Sequence, residues 1–171
     1  MTTGTLQVAS LEELATVAAA AARALPARGF VTLEGDLGAG KTAFVQAVAG
    51  AVGIPEGEVV SPTFGLIHVH PLPAHHAAGR LVHADMYRLT GPGDLHETGW
   101  EDATTGPGWV FVEWPQRIAA ALPADRLDIV IEVEAATVRR LTLTSRGPRH
   151  DAVVASMLSA CDSIPPPHSS P

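Results

Sequence analysis

The chain has 171 residues, 46% of them hydrophobic and 17% charged, with a formal net charge of −7. That is the size of one domain with a substantial core, and its acidity excludes a solitary nucleic-acid binder, because phosphate neutralisation needs a basic footprint. The single cysteine, Cys161, excludes an internal disulfide or a cysteine metal cluster and fits a reducing compartment.

In chain order, "MTTGTLQVAS" lacks the charged-then-apolar pattern of a signal peptide. The apolar stretch 14–22 is about half of a membrane span. A soluble cytoplasmic protein with no membrane role is expected. "SLEELATVAAAAARAL" predicts a helix, because Ser10 and Glu13 have capping-box spacing and the alanines favour helix. "FVTLEG" predicts a buried strand leading into a glycine-rich loop. "KTAFVQAVAGAV" predicts a helix from Lys41 to Val52, with Phe44, Val48 and Val52 on one face.

"SPTFGLIHVH" predicts a turn followed by an alternating strand, and "LVHADMY" a second strand beyond a loop at 71–80. A glycine- and proline-containing turn and a short helix near Leu95 follow. "WVFVEW" has the form of a buried parallel strand ending at an acid. "RLDIVIEV" and "VRRLTLTS" predict a hairpin joined at residues 134–137, and "DAVVASMLSA" a closing helix. This order predicts an α/β fold: a three-layer domain with a mixed, mainly parallel central sheet and late antiparallel strands, which the glycine-rich loop at residues 35–42 makes P-loop NTPase-like. It spans 1–162, and the Pro/Ser-rich tail 163–171 offers no core and is expected to be disordered.

"GDLGAGKT", Gly35 to Thr42, matches G-x-x-x-x-G-K-[ST] in full, with a strand before it and a helix after it. In this pattern glycines let successive N–H groups turn inward into an anion nest at a helix N-terminus. Lys41 is the only lysine beside ten arginines. A compact ammonium on a flexible stem suits phosphates held in a nest, where a planar guanidinium would not fit. The Thr42 hydroxyl can serve Mg²⁺.

A phosphate loop calls for a second acid. Glu113 ends a predicted parallel strand at the crevice edge, and Asp85 lies in "HADMYRL". Each is also readable as a solvated strand-end acid or an arginine partner. "SPTF" offers hydroxyls that could sense a γ-phosphate or could form an ordinary Ser-Pro turn. Trp114 could close a nucleotide pocket or belong to the core. The eight histidines lack metal-ligand spacing and are expected at the surface.

Together, "GDLGAGKT", "SPTFGL", "HADMYRL" and "VEWPQR", in that order, resemble the bacterial TsaE (YjeE) family, the ATPase subunit of the tRNA threonylcarbamoyladenosine machinery. The resemblance runs from about Ser10 to about Arg146. It implies that Gly38, Ala39, Gly40, Lys41, Thr42 and Ala43 bind ATP, and that Thr42 and Glu113 hold Mg²⁺. It implies that Lys41, Asp85, Glu113 and Thr63 serve hydrolysis, Thr63 from a switch-like loop. Trp114 would lie at the nucleotide- or partner-facing edge. Ser10 and Arg139 are assigned to the adenine side, from the expected closeness of the first helix and the late hairpin to the base. The implied partners are TsaB-like and TsaD-like proteins, with tRNA reached only through that complex. The implied activity is a Mg-dependent ATPase, weak alone. The alternatives are a small-molecule P-loop kinase, for which "HHAAGR" provides no convincing lid, and a nucleotide-gated binding module without useful hydrolysis.

Overall fold

A computed structural model of the protein describes residues 1–62, 66–90 and 92–165. Its frame is a seven-stranded sheet of order β1-β7-β6-β2-β5-β4-β3. The strands are β1 (Thr3–Val8), β2 (Arg28–Glu34), β3 (Ile67–Pro71), β4 (Arg80–Asp85), β5 (Gly108–Glu113), β6 (Leu127–Val133) and β7 (Arg139–Ser145). The central run β6-β2-β5-β4 is parallel, while β7, β1 and β3 pair antiparallel at the margins. This is the mixed sheet that the order of elements predicts. β1, which the sequence reading leaves without structure, extends the late hairpin by pairing with β7 from Thr3↔Thr144 to Val8↔Arg139.

One sheet face is covered by α1 (Leu11–Ala24), α2 (Lys41–Ala51) and α4 (Asp151–Asp162). Ser10 caps α1, its hydroxyl accepting from the Glu13 N–H at 3.2 Å, while the Glu13 carboxylate accepts from the Ala9 N–H at 2.7 Å. That cap contributes about 1 kcal/mol. The alanine-rich α1 buries Val17, Ala18 and Ala21 between its neighbours, and their small side chains permit close packing. Alternate strand residues, among them Leu33, Phe111, Leu127 and Ile129, complete this core.

The opposite face is thinner. Val82, Ala84, Val110 and Val112 are covered by Met86, Leu95, Trp100 and Ile118 from short elements. Where a short helix is expected near Leu95, a 3-10 segment (Pro92–Thr98) precedes α3 (Trp100–Thr104). At the C-terminal end, Ile164 packs against the larger core, so apolar contact continues two residues past α4. No helix among the described residues is long and apolar enough to cross a membrane.

Candidate functional site

The parallel strands β2, β5 and β4 end side by side. Leu33 pairs with Glu113, and Glu113 pairs with Asp85. At this edge β2 turns into the glycine-rich loop and then α2. Gly35 has φ 154°, and a Cβ there would lie 2.4 Å from the Ile131 carbonyl oxygen, so the loop lies too close to β6 for any side chain. Gly40, the α2 N-cap, has φ 112° and gives the helix no side-chain cap. The first-turn N–H groups of a helix have no intrahelical partner, so this helix start, left without a side-chain cap, favours an anion.

Lys41 is 4% exposed. Its Nζ donates to the carbonyls of Gly35 at 2.8 Å and Asp36 at 2.9 Å, and lies 4.3 Å from the centre of the Trp114 ring. Burial lowers its pKa from the ordinary lysine value, while Glu113, Asp85 and Asp36 act in the opposite sense. The space around Nζ is thus bounded by main-chain oxygens and an aromatic face.

Glu113 is buried, with 3% exposure. Its Oε1 accepts from the Thr42 hydroxyl at 2.7 Å and from His83 Nε2 at 2.8 Å. After Glu113 the chain turns sharply at Trp114, which holds φ 60° and ψ 49°. This left-handed conformation costs a bulky residue about 1–2 kcal/mol. It places the indole beside Lys41 and 5.0 Å from the Tyr87 ring. Asp85, also buried, accepts from the Tyr87 N–H at 2.9 Å and from the Ser61 hydroxyl at 3.3 Å. Ser61 thereby lies at the crevice. Thr63, assigned to hydrolysis on the resemblance, lies outside the described residues.

Ser10 and Arg139 come together with Gly38, Ala39, Gly40 and Ala43 around a pocket of 510 Å³ beside the loop. The Ser10 hydroxyl is already engaged as the α1 cap. The Arg139 Nε donates to the Ala39 carbonyl at 2.9 Å, and its Nη1 reaches the carbonyls of Ala135, Ala136 and Val138. Arg139 therefore ties the glycine-rich loop to the β6–β7 turn.

The expectation of surface histidines needs correction. His83 is fully buried and His150 is 1% exposed. Sequence reasoning missed His83 as a partner of Glu113, although period-two alternation on β4 puts Leu81, His83 and Asp85 on one face. Its antiparallel partner in β3 is His68.

The donor set fits Mg²⁺. A hydroxyl and a carboxylate are hard oxygen ligands, already adjacent at the foot of the loop. A glycine-rich loop at a helix start, with a buried ammonium, likewise fits a polyphosphate.

A glycine-rich loop between strand and helix, at the carboxyl ends of parallel strands, defines the class: a P-loop NTPase-like fold. The crystal structure of Bacillus subtilis YdiB superimposes with a TM-score of 0.73 at 30% identity, covering 92% of this chain and 95% of that one. The family model "Threonylcarbamoyl adenosine biosynthesis protein TsaE" matches residues 8–141. Proteins named tRNA threonylcarbamoyladenosine biosynthesis protein TsaE are similar along most of their length. That of Treponema pallidum is 37% identical over 121 residues, 71% of this chain and 85% of the relative. That of Streptomyces coelicolor is 35% identical over 142 residues, 81% of this chain and 94% of the relative. The chain belongs to the TsaE family.

Proposed function

We propose that this chain is the ATP-binding and ATP-hydrolysing accessory subunit of a tRNA threonylcarbamoyladenosine-forming system, working on a TsaB–TsaD-like pair. The observation that carries the reading is the constellation of buried Lys41 and Glu113 with half-buried Thr42 at the foot of the glycine-rich loop, in a chain of this family. Gly38 to Ala43 would receive the phosphates, with Lys41 exchanging its contacts with the Gly35 and Asp36 carbonyls for phosphate oxygens. Thr42 and Glu113 would hold Mg²⁺, which would supply Lewis-acid neutralisation of phosphate charge when bound. Asp85, with Ser61 and Thr63 in the adjoining segment, would orient the attacking water, and Trp114 would close the phosphate side. The pocket edged by Ser10 and Arg139 would take the adenine.

A net charge of −7 leaves no basic stripe for tRNA, so tRNA would be reached through the partners and hydrolysis alone would be weak. The test is reconstitution. Adding this protein with ATP to a TsaB–TsaD pair, a threonylcarbamoyl donor and substrate tRNA should raise the number of tRNAs modified per complex. The Glu113→Gln variant should not sustain that rise. Unchanged turnover on adding wild-type protein, or rapid phosphorylation of a small acceptor, would overturn the reading.

A further inference from the structure

We infer that His83 is a positioning residue for Glu113, holding the carboxylate in place for a divalent cation. The inference rests on the nucleotide–Mg²⁺ reading of the crevice.

A carboxylate accepts hydrogen bonds, so at 2.8 Å His83 Nε2 is the donor to Glu113 Oε1. The same oxygen accepts from Thr42. One ring thus fixes the acid from the β4 side while the loop hydroxyl fixes it from the α2 side. The other ring nitrogen, Nδ1, is buried and has no hydrogen-bond partner among the described residues. An orphaned buried acceptor costs roughly 1–3 kcal/mol, and a side chain selected for packing would not carry that cost. Leucine would occupy the position, between Leu81 and Asp85 on the same strand face, without an orphaned nitrogen. The imidazole therefore serves the acid it touches. It restrains the Glu113 rotamer from the β4 side, the role that outer partners play for metal-binding carboxylates.

The experiment compares wild type, His83→Leu and His83→Gln. The Leu change removes the donor, and the Gln change returns an N–H near the Nε2 position. Binding of ADP and of a non-hydrolysable ATP analogue is measured by calorimetry across a Mg²⁺ series and in EDTA, with melting temperatures alongside. His83→Leu removes the orphaned nitrogen but also a hydrogen bond to a buried carboxylate, so the two effects oppose and its melting temperature should shift only modestly. Its half-saturating Mg²⁺ concentration should rise by roughly tenfold or more, with affinity in EDTA unchanged. His83→Gln should recover most of that loss. The inference is overturned by wild-type Mg²⁺ dependence in the Leu variant, or by a Gln variant as impaired as Leu. If wild-type protein shows no Mg²⁺-dependent nucleotide binding, the nucleotide reading of the crevice fails first and this inference falls with it.

Discussion

Two buried histidines, at opposite ends of the sheet, each meet a carboxylate at 2.8 Å, and they are built differently. At the end where the parallel strands begin, His150 Nε2 accepts from the Phe30 N–H at 3.2 Å, so Nδ1 must carry the proton donated to Asp125. Asp125 also accepts from Arg149 at 2.7 Å, and that bond, with His150, holds its carboxyl below the usual range. Every valence of His150 is closed by protein. At the other end, His83 takes the opposite tautomer and leaves Nδ1 unpartnered among the described residues, and its acid faces the crevice beside Thr42. The first network closes within the fold; the second stands beside a strained Trp114 and a buried Lys41, as the proposed ligand site requires.

The strongest way to break this contrast is His150→Ala. It removes both ring contacts, strands the Phe30 N–H and opens a cavity, so it should cost about 2–4 kcal/mol of stability. Urea denaturation would measure the loss, and calorimetry should find wild-type nucleotide affinity in the protein that remains folded. A variant of near-native stability, or one that is stable but fails to bind, would erase the distinction between the two ends.

At the crevice the expected pattern reverses. Lys41→Arg keeps the charge but must fit a planar guanidinium between the Gly35 and Asp36 carbonyls and the Trp114 ring. We expect ATP–Mg²⁺ affinity to fall roughly 10- to 100-fold, the loss of one or two charge-assisted hydrogen bonds. The melting temperature should change little. Wild-type affinity in the variant would show that the site asks for charge alone.

Both ends were unequally legible in the sequence. The crevice announced itself because a nest, a helix start and a lysine must follow one another along the chain, so "GDLGAGKT" is a local motif. Glu113 and Asp85 were readable as strand-end acids because a parallel sheet aligns such ends. The His150–Asp125 staple was not readable, since its partners are 25 residues apart and join only when the β6 entry and the α4 entry meet. The His83–Glu113 bond was half readable. Alternation gives the face, but the register that brings β4 beside β5 is a tertiary fact. β1 was missed because "TGTLQV" has few large apolar residues and a glycine near its start, and becomes a strand through pairing with β7.

A third carboxylate sharpens the comparison with the smallest effect. Asp128 lies on the sheet face away from α1 and α2, where it accepts from Thr32 at 2.8 Å, Arg126 at 2.7 Å and Arg146 at 2.6 Å. Burial raises its pKa, but the hydrogen bonds from Arg146, Thr32 and Arg126 outweigh that and hold the carboxyl below its ordinary value. A folded-state pKa below the unfolded one stabilises the protein above the unfolded value, about 3.9. That stability is lost as pH falls through the folded value. Asp128→Asn should therefore cost about 1 kcal/mol or less at neutral pH, since Arg146 is half exposed. The gap from wild type should close as pH drops below about 4. Urea melts of both proteins from pH 7 to pH 2 would follow it. Nucleotide affinity should be unchanged, as at His150. A gap that stays constant through acid would mean that Asp128 contributes through shape and packing and not through its charge.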